Sequence, residues 1–150
     1  MRIVVQRVSH ASVTIDATVK SKINQGLLVL LGITHDDSMA DIEWLTNKIL
    51  GLRIFGDEEG VMNRSLIDVD GDILVISQFT LHASTKKGNR PSYMMAARPE
   101  IAIPLYEQFL STLSRKLKKE VYSGTFGADM KVELLNDGPV TILMDSLKRD

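Results

Sequence analysis

The stretch Gly26-Leu27-Leu28-Val29-Leu30-Leu31-Gly32-Ile33 decides the fold. A strand with one face in water alternates apolar and polar residues. This one carries no polar side chain, so it reads as a central strand covered on both faces. It is also far too short to cross a bilayer. Something must therefore pack above it and something else below it.

Its neighbours supply both. Upstream, residues 2–8 and 11–15 mix β-branched and polar side chains and predict two strands in quick succession, with Ser9-His10 between them; residues 19–23 predict a third, ahead of Asn24-Gln25-Gly26. Downstream the period changes. Ser38-Met39-Ala40-Asp41 has the spacing of a capping box, Ile42, Leu45, Ile49 and Leu52 follow at helical intervals, and Gly51 offers a stop. Arg53-Ile54-Phe55 returns to strand, and residues 56–60 read as a turn. The Asp70-Gly71 turn signal introduces a strong strand over 73–81, and a polar loop rich in Lys, Gly and Asn follows over 83–93.

A second helix is written in Ile101, Leu105, Phe109, Leu113 and Leu117, with Tyr106 and Leu110 widening the stripe. Pro99 and Pro104 should lie before it or within its first turn, because an interior proline costs about 3 kcal/mol. Its last turns carry Arg115, Lys116, Lys118 and Lys119, placed well against the helix dipole. Short strands are predicted near 121–123, 130–135 and 140–144, then a polar tail over 145–150. Two helices can cover only one face of so much sheet. The expected architecture is therefore α/β but β-rich: a single layered β/β/α domain over residues 1–150, with both helices on one side.

Composition narrows the function classes. An apolar content of 44% and a charged content of 25% suit a soluble globular domain. There is no cysteine, hence no disulfide framework and no thiolate chemistry. The opening residues lack the continuous apolar stretch of a signal peptide, so a cytoplasmic protein with no membrane partner is the expectation. No His/Asp/Glu cluster has metal-ligand spacing, and no glycine loop of the Walker or dinucleotide type is present, so neither metal nor cofactor is expected. A net charge of −1 means that any nucleic acid would have to be gripped by a local patch.

Two motifs stand out. Ser77-Gln78-Phe79-Thr80-Leu81 closes the strand over 73–81, where strand alternation would put Ser77, Phe79 and Leu81 on one face and Gln78 and Thr80 on the other. It reads either as a strand simply leaving the core or as a ligand-binding end. Asn136-Asp137-Gly138-Pro139-Val140-Thr141 contains Asp137-Gly138, which at face value is a hairpin turn. Pro139 complicates that reading, because it removes a ladder donor and makes a cis peptide accessible.

Together these motifs resemble the signatures of the D-aminoacyl-tRNA deacylases (the D-tyrosyl-tRNA deacylase family). Gln6-Arg7-Val8, Ala11-Ser12-Val13, Gly26 to Gly32, Arg53-Ile54-Phe55, Gly88-Asn89-Arg90-Pro91-Ser92 and Phe126-Gly127-Ala128-Asp129-Met130 extend the resemblance over nearly the whole chain. It implies the layered fold, a homodimer with the active site shared across subunits, and hydrolysis of the ester of a D-amino acid mis-attached to tRNA, with glycyl-tRNA poorly excluded. It places chemistry at Phe79 and Thr80 and substrate contacts at Ser77 and Gln78. Gly138 and Pro139 become a cis chirality filter entering the partner's pocket, rejecting L-aminoacyl-tRNA, with Arg7 bracing it.

Lys86, Lys87 and Arg90 are candidate contacts to tRNA phosphates, the helix-end cluster from Arg115 to Lys119 is a weaker one, and no DNA partner is implied. Phe126 and Met130 are candidate pocket walls that could equally be core. Thr80 has no evident base: His82 lies two residues on and is read as a loop residue, which favours water attack aided by main-chain donors and the vicinal ribose hydroxyl over a covalent acyl-enzyme. Two other readings remain: a non-catalytic nucleotide or tRNA binder, and a small-ester hydrolase using Thr80 and His82.

Overall fold

The computed structural model describes residues 1–149; Asp150, the end of the expected polar tail, lies outside the described residues. In chain order the elements are β1 (Arg2–Ile15), β2 (Thr18–Ile23), β3 (Gly26–Gly32), α1 (Met39–Gly51), β4 (Phe55–Gly56), β5 (Met62–Arg64), β6 (Asp72–Ser77), a 3-10 turn (Phe79–His82), α2 (Pro99–Leu117), β7 (Tyr122–Ser123) and β8 (Lys131–Asp145). The main sheet runs β2-β1-β3-β6-β7, and β8 pairs along the other side of β1.

The run that decides the fold is central, as expected. β3 pairs antiparallel with β1 and parallel with β6, and its alternate residues enter two different cores. Leu27, Val29 and Leu31 join Ile73 and Val75 beneath both helices, against Ile42, Leu45, Ile49, Tyr106, Phe109 and Leu113. Leu28 joins Leu74 and Ile76 on the opposite face, where Val8, Ala11, Val13 and Ile23 fold over it from the curled half of the sheet. The result is the layered β/β/α arrangement with both helices on one side. Each parallel connection is made by a helix, α1 between β3 and β6 and α2 between β6 and β7, as parallel pairing requires.

At Gly26 the two parallel strands approach so closely that a Cβ would lie 1.9 Å from the Asp72 carbonyl oxygen. Only glycine fits.

Four predicted boundaries move. Ser9-His10 does not break the first strand: a register shift between Val8 and His10 absorbs it, and this bulge keeps Ala11 and Val13 on the same core face as Val8. The predicted strand over 53–55 contracts to Phe55–Gly56. The strand over 73–81 stops at Ser77. Residues 130–135 and 140–144 belong to one strand, because both halves of β8 pair antiparallel with β1 in the same direction, which no hairpin could do. Pro104 lies beyond the first turn of α2. The carbonyl it leaves without a donor belongs to Glu100, four residues earlier, and both residues are exposed, so water can serve it.

Candidate active site

β3 and β6 run parallel with Leu31 opposite Ser77, so their C-terminal ends emerge at the same edge of the sheet. The start of α2 and the segment before β8 close around that edge. They enclose a cavity of about 260 Å³ lined by Leu31, Ile33, Ile76, Ser77, Gln78, Phe79, Ala97, Ala102 and residues 126–130 and 132. Its base is tied by main chain: the Gln78 N–H donates to the Leu31 carbonyl at 2.7 Å, and the Ala97 N–H to the Ile33 carbonyl at 2.8 Å.

After Gln78 the backbone leaves the strand for a 3-10 turn, held by Leu81 N–H to the Gln78 carbonyl (3.2 Å) and Ala83 N–H to the Thr80 carbonyl (3.0 Å). Strand alternation therefore fails from Phe79 onward. The Phe79 ring is 55% exposed at the cavity mouth and meets Tyr93 edge-on, with centroids 5.0 Å apart. The amides of Phe79 and Thr80 open the turn, where a helix start has no acceptor of its own. Among the described residues neither donates to another group. Two adjacent N–H donors thus stand beside the cavity.

Thr80 does not line the cavity itself. Its hydroxyl oxygen accepts a hydrogen bond from the Gln78 carboxamide nitrogen. A carboxamide is no base, so this partner cannot activate Thr80 as a nucleophile. His82, expected in a loop, ends the 3-10 turn instead. It is buried at the end of the turn, away from the cavity, packed under Gly32. Burial lowers its pKa below the ordinary 6.5; a main-chain hydrogen bond at Gly32 works the other way, and the Arg2 charge adds to the lowering.

The second motif lies elsewhere in the chain. Between Gln6↔Thr141 and Val8↔Asn136, β8 bulges away from β1, and Gly138-Pro139 is a cis peptide exposed on that bulge. Asn136 holds the bulge's base, its Oδ1 accepting from the Val140 N–H at 2.9 Å and its Nδ2 donating to the Val140 carbonyl at 3.1 Å. Arg7 braces it: Nε donates to the Asp137 carbonyl at 2.9 Å and Nη1 to the Ile54 carbonyl at 2.6 Å. Neither Gly138 nor Pro139 lines the cavity of its own chain.

Lys86, Lys87 and Arg90 are exposed on the loop after the turn, which Ser84 and Ser92 close by reciprocal main-chain bonds. The helix-end cluster is largely occupied: Lys116 bonds Glu43, Thr46 and Asn47, Lys119 bridges Asp70 and Asp72, and Arg115 approaches Glu43. Phe126 serves as both core and wall, lining the cavity while its ring lies 5.8 Å from Tyr106. Sequence reasoning missed Ala97 and Ala102, whose small side chains leave the space α2 would otherwise fill. It also missed Tyr93, an aromatic in a polar loop, which was the one available signal. Among the described residues no His/Asp/Glu group is arranged to hold a metal ion, and no helix is long and apolar enough to cross a membrane.

A curled sheet with two helices on one face is the fold of the D-amino acid tRNA deacylases. A solved structure of a probable eukaryotic member superposes with a TM-score of 0.83, covering 95% of this chain and 97% of its own at 17% identity. The chain belongs to the D-Tyr-tRNA(Tyr) deacylase family, which matches over residues 4–145. Relatives named D-aminoacyl-tRNA deacylase are 67% identical in Bacteroides thetaiotaomicron and 61% identical in Flavobacterium johnsoniae, each over the full length of both chains. A solved protein described as c-Myc DNA unwinding element binding protein is 42% identical, with a TM-score of 0.92 over 97% of this chain and 98% of its own.

Proposed function

We propose that this chain hydrolyses the ester of D-aminoacyl-tRNA, releasing the D-amino acid and free tRNA. The observation that carries the mechanism is the pair of unengaged amides at Phe79 and Thr80 beside a cavity whose one carboxylate among the described residues, Asp129, is exposed and paired with Lys131 at 2.9 Å. An aminoacyl ester is already reactive. The cavity needs only to hold the terminal adenosine through residues such as Ser77 and Gln78, aim the two amides at the developing oxyanion, and let the vicinal ribose hydroxyl position water. The test is hydrolysis of D- and L-tyrosyl-tRNA side by side. Selective release of the D form is expected, and equal rates would refute chiral selection.

The chiral filter we assign to Gly138 and Pro139. They lie outside their own chain's cavity, so the reading requires a homodimer in which this bulge enters the partner's cavity, with Arg7 fixing it. Main-chain carbonyls there would accept bonds from the substrate ammonium and leave no room for an L side chain. Such a filter inspects only the α-carbon and should admit glycine, so glycyl-tRNA is a second expected substrate. Gly138 has φ +135°, and an added Cβ would sit 2.8 Å from Val140 Cγ2 and 3.0 Å from Arg7 Nη2. Gly138→Ala should therefore lower D-substrate hydrolysis, and an unchanged rate would remove the motif from the site.

Translation proofreading places the work in the cytoplasm, with Lys86, Lys87 and Arg90 as phosphate contacts. A DNA-binding reading is raised by the description of the 42%-identical solved protein. A net charge of −1 and a helix-end cluster tied up in ion pairs argue against it, and a duplex-binding assay decides.

A further inference from the structure

Between the last turns of α1 and the C-terminal end of β8 lies a groove of about 440 Å³, walled by Trp44 and Lys48 on one side and by Arg2, Leu143, Asp145 and Lys148 on the other. None of these residues lines the cavity beside Phe79. Arg2 and Asp145 are joined at 2.8 Å and cancel. Lys48 and Lys148 are exposed and, among the described residues, form no ion pair. Arg149 adds a third cation, 5.0 Å from the centre of the Trp44 ring, and Lys48 lies 5.7 Å from the same centre. Both are within the roughly 6 Å reach of a cation–π contact. Trp44 thus steadies two long, flexible side chains at the groove, so less freedom is left to lose when an anion binds. In a chain of net charge −1, three such cations around one groove are a local concentration of charge.

The groove also leads back to the candidate active site. A neighbouring concavity shares Arg2 and Asp145 with it and runs along residues 82–86. That concavity starts at His82, the last residue of the 3-10 turn whose first residue, Phe79, lines the cavity. Arg2 ties groove and turn together, its Nη1 donating to the Leu81 carbonyl at 3.0 Å. A continuous course therefore runs from the cavity mouth, past the turn, to Lys48 and Lys148. The shape selects among polyanions. A flat bilayer reaches only the rim of a groove, whereas a phosphodiester backbone enters it.

We infer that this groove holds the phosphate backbone of the tRNA acceptor stem, with Lys48, Lys148 and Arg149 as its contacts, while the single-stranded end reaches the cavity. The inference rests on the aminoacyl-tRNA reading above, which fixes where the strand ends; the groove fixes where the stem lies. The lining offers cations and apolar walls but no carboxamide to read a base edge. Contact is therefore to phosphate, and it positions the stem without regard to its sequence.

The test compares an acceptor minihelix ending in CCA with the CCA trinucleotide alone, each carrying a 3′ D-tyrosyl amide that cannot hydrolyse. Binding is followed by fluorescence anisotropy over a series of salt concentrations. Near physiological salt each phosphate contact should contribute roughly fivefold in affinity and about one unit in the slope of log K against log salt. The double variant Lys48→Gln, Lys148→Gln should therefore bind the minihelix about thirtyfold more weakly, with the slope reduced by about two. Its affinity for the trinucleotide should not change. Both side chains are exposed, so the variant should fold. Lys20→Gln, exposed on β2 beside the far end of β1, should alter neither affinity. Minihelices of different stem sequence should bind alike. An unchanged slope in the double variant, an equal loss with the trinucleotide, or an equal loss in Lys20→Gln would overturn the inference. So would loss of binding to phosphatidylserine vesicles with minihelix binding intact. D-tyrosyl-tRNA hydrolysis at saturating substrate keeps the two readings apart. Selective hydrolysis with an unchanged slope removes only the groove, and a reduced slope without hydrolysis removes only the deacylase reading.

Discussion

Replacing Arg7 tests the link between the two motifs most directly. Its side chain is 14% exposed and spans two main-chain carbonyls, Asp137 at 2.9 Å and Ile54 at 2.6 Å, with the Asp137 carboxylate 3.6 Å away. One guanidinium thus clamps the β8 bulge to the segment leading into β4. Hydrogen bonds from a charged donor contribute about 1.5–3 kcal/mol each; allowing for water at the exposed Asp137 side, Arg7→Met should cost about 2–4 kcal/mol. In a domain of this size that is a fall in melting temperature of roughly 5–15 °C. Arg7→Lys can reach one carbonyl but cannot bridge both, so about half the loss should return. Function should separate the two losses: with the bulge unclamped, the ratio of D- to L-tyrosyl-tRNA hydrolysis should fall in both variants, measured well below their melting temperatures. A variant that melts early yet keeps wild-type discrimination would refute the claim that Arg7 positions the filter. One with unchanged melting would refute the clamp itself.

Thr80→Ala should keep deacylation within about tenfold of wild type, whereas loss of a nucleophile or general base should cost about 10²–10⁴-fold; substrate carrying a terminal 2′-deoxyadenosine should instead react poorly. Gly26→Ala should prevent soluble folding, because its Cβ would lie 1.9 Å from the Asp72 carbonyl oxygen and force β3 from β6; soluble, folded protein by circular dichroism would contradict that packing. His82 gives a pH signature. Burial lowers its folded pKa below the ordinary 6.5, so between those values the unfolded chain binds a proton that the native chain does not. Stability should be full above about pH 6.5 and decline as pH falls through that window. Denaturant melts of His82→Gln should lose this part of the slope, and an identical slope would place the titration elsewhere.

Periodicity reached the layers because each depends on local facts. An all-apolar β3 has to be covered twice, and apolar side chains at every fourth residue in α2 have to face something. It failed where the backbone changes state without changing composition. Phe79-Thr80-Leu81 is as strand-like as the residues before it, yet the chain turns there, and the turn rather than the pattern frees the two amides. Ser9-His10 looked like a break because polarity was read as an end, when a bulge carried pairing through it. Asp137-Gly138 looked like a hairpin because its partner strand, β1, lies more than a hundred residues earlier in the sequence. Long-range pairing is invisible to local pattern.

β8 has a further consequence. It is 15 residues long and, among the described residues, pairs on one side only, with β1. A free edge of that length invites strand-to-strand addition by other copies, the usual route to aggregation. The chain counters this along the bulged segment itself. Pro139 has no N–H to present, the bulge breaks the edge into two short runs, and Lys131, Glu133 and Asp137 put charge along it. Straightening the bulge would therefore join those runs into one continuous template, and solubility would be lost.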